Sequence, residues 1–232
     1  MKRGLTAFLA VALALVLTAS ATAGTVIGVN FCDGWDKPHM EGKTADGFDN
    51  WTDSWPLWDW GNASSGSDLV LLGSDDLVTV SWTSSNTWAG GLEDTSEQQL
   101  YRVYLDDGGD GPRITFDGLG DWLAAIGAPG YTVRVYHSSD NASGFTPTSL
   151  YDADDDSLLA TVQAALTWDT DGGLRGYVDS GVLSADSLLV AAGARDGSVR
   201  GAIAAVKITA VPEPMTMALL GLGSLVLRRK RK

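Results

Sequence analysis

The heptapeptide YTVRVYH (Tyr131–His137) decides the fold class of this 232-residue chain. Successive residues of a β-strand point to opposite sides, so its side chains divide between two faces. The first face carries Tyr131, Val133, Val135 and His137, and the second carries Thr132, Arg134 and Tyr136. LVTVSWT (Leu77–Thr83) alternates in the same way, with Val78, Val80 and Trp82 on one face. This period of two predicts strands with one face in a core.

Short runs rich in β-branched and aromatic residues recur between clusters of Gly, Asp, Ser and Asn. Ten such strands in about 185 residues predict one all-β domain, a sandwich placed at residues 24–210. One short helix is predicted at Asp117–Ile126, ending at Gly127, and Asp33–Asp68 is predicted to be a long ordered loop. The predicted strands are Thr25–Phe31, Asp68–Leu72, Leu77–Thr83, Leu100–Leu105, Pro112–Phe116, Tyr131–His137, Leu158–Leu166, Leu174–Val178, Ser187–Ala192 and Ala202–Thr209.

The first 23 residues have the three parts of a secretory signal peptide. A basic pair, Lys2 and Arg3, precedes an apolar run from Leu5 to Leu17, and small residues end the segment. The apolar run is shorter than the ~20 residues of a membrane-spanning helix. We therefore expect the secretion machinery to export the chain and signal peptidase to cut between Ala23 and Gly24. A retained membrane anchor is the alternative.

Charge is distributed unevenly along the chain. The net charge is −13, yet seven of the 16 Lys and Arg lie in the terminal segments. Residues 25–210 therefore hold nine basic against 28 acidic side chains. A surface of this sign repels phosphates, so nucleic acid is not expected as a partner of the folded domain.

The C-terminus consists of the motif Val211-Pro212-Glu213-Pro214, the apolar run Met215–Leu227 and five basic residues. The prolines end the β structure, and the basic cluster favours a cytoplasmic position for the end of the chain. The 13 apolar residues form a helix of only about 20 Å at ~1.5 Å per residue, shorter than the ~30 Å hydrocarbon core. This short transmembrane helix is a weak anchor, as expected of a removable signal; an ordinary tail anchor is the alternative.

This order of features resembles the PEP-CTERM sorting signal, which we assign to residues 211–232. The resemblance implies that an exosortase-like membrane transpeptidase acts at the Pro-Glu-Pro region after transient anchoring in the bacterial inner membrane. The protein would then reach the cell surface or the medium. Six segments of the preceding domain carry a second resemblance: IGVNF (27–31), VTVSWTSSNTW (78–88), YLDDGG (104–109), ITFDGL (114–119), YTVRVYHSSD (131–140) and RGAIAAVKI (200–208). In that order they resemble the galactose-binding-like, jelly-roll β-sandwich domains of exported bacterial proteins.

The residues needed for nucleophilic catalysis are scarce. The single cysteine, Cys32, is predicted to be a buried thiol at a strand end, and the only histidines are His39 and His137. His137 is predicted to be structural or to lie at a loop edge. The aspartates cluster with Gly and Ser in turns, where burial does not raise their pKa. We therefore expect no enzymatic activity; a polysaccharide-active enzyme and a purely structural matrix component are the alternatives.

A calcium ion is the cofactor hypothesis that the sequence raises. DDGGDG places Asp106, Asp107 and Asp110 in a glycine-rich turn, which partly imitates a calcium loop. The resembled sandwich folds often hold one structural calcium ion. The segment lacks the bidentate Glu of an EF-hand, and a simple hairpin turn is the alternative.

Extracellular polysaccharide is the expected ligand. Flat aromatic faces and carboxylates bind sugars, and Asp49–Asn62 (DNWTDSWPLWDWGN) supplies both, with Trp55, Trp58, Asp59 and Trp60 as candidate contacts. Packing of these tryptophans is the alternative interpretation. Four other tryptophans are predicted to fill the core or the sheet edges: Trp82, Trp88, Trp122 and Trp168.

Overall fold

A computed structural model describes residues 24–32, 40–54, 64–90, 95–106, 111–139, 147–168, 174–193 and 201–213. The predicted signal peptide and the predicted tail helix lie outside these ranges. Within them the all-β prediction is confirmed, with two short helices, α1 (Ser96–Leu100) and α2 (Leu119–Ile126). The strands are β1 (Val26–Asn30), β2 (Thr52–Asp53), β3 (Ser65–Val70), β4 (Thr79–Thr83), β5 (Asn86–Ala89), β6 (Val103–Asp106), β7 (Arg113–Asp117), β8 (Gly130–Ser139), β9 (Thr148–Asp152), β10 (Leu158–Val162), β11 (Thr167–Trp168), β12 (Leu174–Asp179), β13 (Leu188–Ala191) and β14 (Ala205–Val211).

Two six-stranded sheets form the sandwich. The front sheet has the order β11-β12-β8-β14-β1-β2, and the back sheet has the order β10-β9-β13-β7-β4-β3. A separate two-stranded sheet joins β5 and β6. The pairs in the two large sheets are antiparallel except β1 with β2, which run parallel. The last strand, β14, is therefore central, between β8 and β1.

The inner core lies between the two sheets. The alternation predicted for β4 and β8 is confirmed, because Val80 and Trp82 of β4 and Val133 and Val135 of β8 are buried in one apolar cluster. Complete burial of one such aliphatic side chain contributes roughly 1.5–3 kcal/mol. The sequence pattern therefore identified the face that holds the sandwich together.

A second apolar cluster, the outer cluster, covers the opposite face of the front sheet. Its buried members are Met40, Ala45, Phe48, Trp51, Leu100, Tyr104, Tyr136, Ala202, Ala204 and Ala205. Tyr136, which alternation assigned to the outward face of its strand, is only 1% exposed because this cluster lies over it. Gly28 permits the close approach, since a Cβ there would lie 3.0 Å from the rings of Phe48 and Trp51.

Helix α2 confirms the predicted short helix, and Gly127 caps it in the left-handed conformation with φ of 67°. The strand predicted at Leu100–Leu105 is wrong in its first residues, because α1 extends to Leu100. Thr95 and Gln98 form a capping box that starts α1, and this local signal outweighs the strand propensity that follows. In the described part of the chain no helix is long and apolar enough to cross a membrane.

Candidate functional site

Most of the predicted ligand and metal residues, one residue of the predicted signal-cleavage pair and the last proline of the sorting motif lie outside the described ranges. They are Ala23, Trp55, Trp58, Asp59, Trp60, Asp107, Asp110 and Pro214. Gly24, Asp106 and Val211 to Glu213 are described, and the structure locates them at the ends of strands. The predictions for Trp55 to Trp60 therefore stay predictions.

Asp106 ends β6, but the hairpin alternative for DDGGDG is wrong. β6 pairs with β5 in the two-stranded sheet, whereas β7 pairs with β4 and β13 in the back sheet. The segment therefore connects two sheets. Among the described residues, no group of three His, Cys, Asp or Glu is arranged to hold a metal ion. The calcium hypothesis for Asp106, Asp107 and Asp110 stays untested.

His137 is structural, as one of its two predicted interpretations stated. It is 1% exposed, with Nδ1 2.8 Å from the carbonyl oxygen of Ala202 and Nε2 3.1 Å from Thr148 Oγ1. A carbonyl only accepts hydrogen bonds, so Nδ1 carries the proton and Nε2 accepts from Thr148. Burial lowers the pKa of His137 to about 4, although the hydrogen bond to Ala202 opposes the shift. His137 is thus neutral near pH 7 and has no access to a substrate.

The buried-thiol prediction for Cys32 is also confirmed. Cys32 is 0% exposed just beyond β1, and its Sγ lies 3.9 Å from Ser54 Oγ. Ser54 Oγ also accepts a hydrogen bond from the Cys32 backbone N–H at 3.0 Å. Buried in this way, the thiol behaves as a small apolar group of the packing.

The described tryptophans divide between core and surface. Trp51 and Trp122 are fully buried and Trp82 is 4% exposed, which confirms the core prediction for Trp82 and Trp122. Trp88 and Trp168 are 48% and 54% exposed. Trp168 lies on the edge strand β11 and Trp88 on β5, one of the two strands of the two-stranded sheet, so both lie at sheet edges, as predicted.

A carboxylate clamp joins the outer cluster to the front sheet. Asp46 accepts hydrogen bonds from Arg134 Nη1 at 2.8 Å and from Tyr136 Oη at 2.5 Å, and it pairs with Lys207. Its backbone N–H donates to Glu97 Oε1 of α1 at 2.7 Å. We call Asp46, Arg134, Tyr136, Lys207 and Asp179 the Asp46 clamp. The clamp thus ties the loop at residues 40–54 to β8, β14 and α1.

The positive charges and hydrogen bonds around Asp46 stabilise its ionised form. Partial burial alone would raise the pKa of Asp46, but hydrogen bonds from Lys207 and Tyr136 and the charges of Lys207 and Arg134 outweigh it and lower the pKa. Arg134 also binds Asp179 with two hydrogen bonds, of 2.6 and 2.7 Å. Its guanidinium lies 4.0 Å from the centre of the Tyr177 ring. These contacts fix Arg134 and orient Tyr177.

A groove of about 560 Å³ lies beside the clamp on the same sheet. Its lining residues, the tyrosine groove, are Glu97, Gln98, Tyr101, Ala165, Thr167, Arg175, Gly176 and Tyr177. Tyr177 is 48% exposed, and Tyr136 contacts both Tyr177 and Tyr101, with ring centres 6.1 and 5.8 Å apart. The groove therefore offers two partly exposed phenol rings on a rigid support beside the carboxylate of Glu97, whereas Arg175, which also lines it, is only 6% exposed.

An acidic pocket of about 440 Å³ lies elsewhere, where α2 meets the back sheet. Its lining residues are Asp117, Gly118, Gly120, Asp121, Asp154, Asp186 and Ser187. Burial raises the pKa of Asp117, and the charges of Asp154 and Asp68 raise it further. Among the described residues that line the pocket, none is aromatic and none is basic. It therefore suits a cationic group better than a sugar ring.

Sequence reasoning missed both the tyrosine groove and the acidic pocket. Tyr101 and Tyr177 are 76 positions apart, and neither lies in a recognisable local motif. The aspartates of the pocket were recognised only as turn residues. Pairing of β12 with β8, with Tyr177 opposite Tyr136, is what brings the groove together.

Three comparisons with known proteins give a limited result. The family model described as "PEP-CTERM protein-sorting motif" matches residues 210–232. Over 78 residues the chain is 38% identical to the probable xyloglucan-specific endo-β-1,4-glucanase A of Aspergillus flavus and to that of Aspergillus oryzae. The match covers 33% of this chain and 29% of each of those curated relatives. Neither relative therefore settles what the sandwich binds.

Among solved structures, protein YxiM from Bacillus subtilis matches with a TM-score of 0.34 and 10% identity. That match covers 80% of this chain and 40% of the other. At this TM-score the likeness carries no argument about fold or function. What the comparisons do show is at the C-terminus: the chain carries a PEP-CTERM sorting motif, which implies export and processing by exosortase-like machinery.

Proposed function

We propose that this exported protein is a surface or matrix component whose sandwich is a non-catalytic module that associates with extracellular polysaccharide. The sorting motif supports the destination, and the tyrosine groove is the observation that supports the binding role. The two six-stranded sheets, antiparallel except for the β1–β2 pair, support a jelly-roll, galactose-binding-like domain. In this proposal the sandwich spans residues 24–210, between a cleaved signal peptide and the sorting tail.

The chemistry of the groove fits a neutral or mixed-charge glycan. Apolar C–H faces of a pyranose ring pack on an aromatic ring, and Tyr177 offers such a ring with 48% of its surface exposed. The carboxylate of Glu97, which lines the groove, accepts hydrogen bonds of the kind that sugar hydroxyls donate. Because Arg134 and Tyr136 hold Tyr177 in place, little conformational entropy is lost on binding.

Retention on immobilised polysaccharides tests the proposal. Tyr177→Ala should weaken retention about tenfold, because it removes the most exposed aromatic surface of the groove. Trp88→Ala is the matched control, since Trp88 is equally exposed, at 48%, but lies on the two-stranded sheet. Equal retention of the Tyr177→Ala variant and the wild type would sink the groove as a binding site, whereas equal loss in both variants would indicate non-specific adhesion.

The tryptophan-rich segment is a second contact surface in the proposal. Replacing Trp58 and Trp60 by alanine should weaken polysaccharide retention without lowering the midpoint of thermal unfolding. Loss of the unfolding transition instead would favour packing over ligand contact.

A polysaccharide-active enzyme is the second candidate function. The partial similarity to two xyloglucan-specific glucanases favours it, as does the raised pKa of Asp117 in the acidic pocket. Glycosidases use two carboxylates, one of which has a raised pKa and acts as the acid. We expect no release of reducing sugar from xyloglucan by the purified protein. Release that Asp117→Asn abolishes would replace the binding proposal with the enzyme.

A further inference from the structure

Both predicted processing points lie at the same end of the sandwich. β1 and β14 are neighbouring antiparallel strands, so the start of β1 lies beside the end of β14. Gly24 is held there by hydrogen bonds to Gly73, at 2.7 Å, and from Trp122 Nε1, at 3.1 Å. Gly24, which follows the predicted signal peptide, and Val211, which opens the predicted sorting tail, therefore lie at the same end of the domain.

The sorting motif begins inside the folded domain. The family match starts at Ala210, whose N–H donates to the carbonyl of Thr25 at 2.8 Å, and Val211 is still paired with Gly130. Only Pro212 and Glu213 separate Val211 from Pro214. At no more than ~3.6 Å per residue, an enzyme that acts on this motif works within about 11 Å of the sandwich.

The end of the sandwich that meets this enzyme is strongly acidic. It consists of residues 24–25, 72–77, 117–129, 153–157, 180–187 and 211–213, and we call it the acidic end. These residues are linked by contacts such as Gly24 with Gly73, Ala153 with Ser187 and Gly120 with Asp186. They contain nine Asp or Glu and no Lys or Arg. A basic protein surface is the complement of such a patch.

The acidic pocket opens within the acidic end, and besides its negative charge it contains a buried hydroxyl group. Ser187 lines it, is 5% exposed, and its Oγ has no hydrogen-bond partner among the described residues. A buried hydroxyl without a partner carries a desolvation cost that an incoming donor removes. Asp186 is its neighbour in the chain, so a carboxylate and an unpaired acceptor lie together. A guanidinium or ammonium group satisfies both at once.

We propose that the acidic end is the surface by which the protein docks on the exosortase-like enzyme, with a basic side chain of the enzyme in the pocket formed by Asp186 and Ser187. This inference rests on the processing implied by the sorting motif. It adds that the enzyme contacts the folded domain as well as the tail. Docking holds the motif, which begins in the last strand of the sandwich, in the enzyme's reach.

The test is the rate at which full-length precursor is processed, followed by pulse–chase in cells that carry the enzyme. Asp186→Asn with Ser187→Ala should slow processing about tenfold, the effect of losing one charge-assisted hydrogen bond. Glu41→Gln removes one exposed charge near the opposite end of the front sheet and should leave the rate unchanged. Ser187→Ala alone removes only an unpaired hydroxyl, so it should slow processing without harming the fold.

Insertion of a flexible linker distinguishes docking of the folded domain from recognition of the tail. Eight Gly and Ser residues inserted between Val211 and Pro212 should make processing insensitive to the pocket substitutions. A wild-type rate in both pocket variants, or an equal delay in Glu41→Gln, overturns the docking proposal. Replacement of Pro212, Glu213 and Pro214 by alanine tests the sorting function itself: unchanged processing there would refute that function, whatever the pocket variants do.

Discussion

The inner core and the outer cluster pack on opposite faces of the same front sheet, but they are built differently. The inner core joins two sheets through alternating apolar residues such as Val80 and Val135. The outer cluster joins one sheet to a loop and a short helix, and it adds the Asp46 clamp to the apolar contacts. The inner core is formed by residues of the strands themselves. The outer cluster depends on residues that the loop and the short helix place against the sheet.

This difference predicts a hierarchy of stability. The inner core is shared by both sheets, so its loss unfolds the sandwich as a unit. The outer cluster covers one face, and its loop segment 40–54 contains only the two-residue strand β2. Such a segment opens with a lower free energy than the whole domain. The polar contacts of the Asp46 clamp set the difference between the free energy of this local opening and that of global unfolding.

The largest expected effect on stability comes from removing a large side chain from the inner core, compared with the same change in the outer cluster. Trp122→Ala in the inner core should lower the free energy of unfolding by about 3–5 kcal/mol, because Trp122 is fully buried and also donates to Gly24. Trp51→Ala should mainly increase amide hydrogen exchange in residues 40–54. If Trp51→Ala exposes the amides of β8 as strongly as Trp122→Ala does, the two clusters are one cooperative unit.

Acid should weaken the domain through His137. The pKa of His137 is about 4 in the folded protein and about 6.5 in the unfolded chain, so only the unfolded chain takes up a proton between these values. The free energy of unfolding therefore falls as pH drops from 6.5 to 4, by about 3 kcal/mol in total.

Denaturant unfolding at several pH values measures this dependence. His137→Gln should flatten the stability profile between pH 6.5 and 4, whatever its effect at neutral pH. His39→Gln is the control, since the chain has only two histidines. A slope that survives in His137→Gln and disappears in His39→Gln would contradict the assignment.

A smaller effect is expected at the clamp. Asp46→Asn keeps a side chain that tolerates the left-handed φ of 51° but loses the charge that pairs with Lys207 and Arg134. It should lower the free energy of unfolding by about 1–2 kcal/mol at neutral pH. Asp179→Asn, whose side chain is 48% exposed, should cost about 0.5 kcal/mol.

The pH dependence of the clamp has a definite sign. The pKa of Asp46 is lower in the folded protein than its ordinary value of 3.8, so its contribution is complete above that value. The contribution is lost as pH falls through the lower, folded value. The stability difference between wild type and Asp46→Asn should therefore shrink below about pH 4. A difference that grows in acid would show that Asp46 does not act through its charge.

The fold was more predictable than the candidate site. Strict alternation identified β4 and β8, and Gly127 identified the end of α2, because both signals are local. The strands β2, β5, β9 and β11 were missed, since they are short or polar and carry no clear alternation of their own. The tyrosine groove was missed for the same reason: Tyr177 lies in a short run with no motif of its own.

The sequence by itself determined the all-β class, the inner face of the main strands and the sorting motif, because each depends on residues close together in the chain. Only the tertiary structure decided that Asp46 meets Arg134 and Lys207, 88 and 161 positions away, and that Gly24 lies beside the end of β14. Strand order sets these contacts, and it depends on how the two sheets bury their apolar faces together. The local periodicity of the sequence identifies which face of a strand is buried, but it does not determine the order of the strands in the sheets.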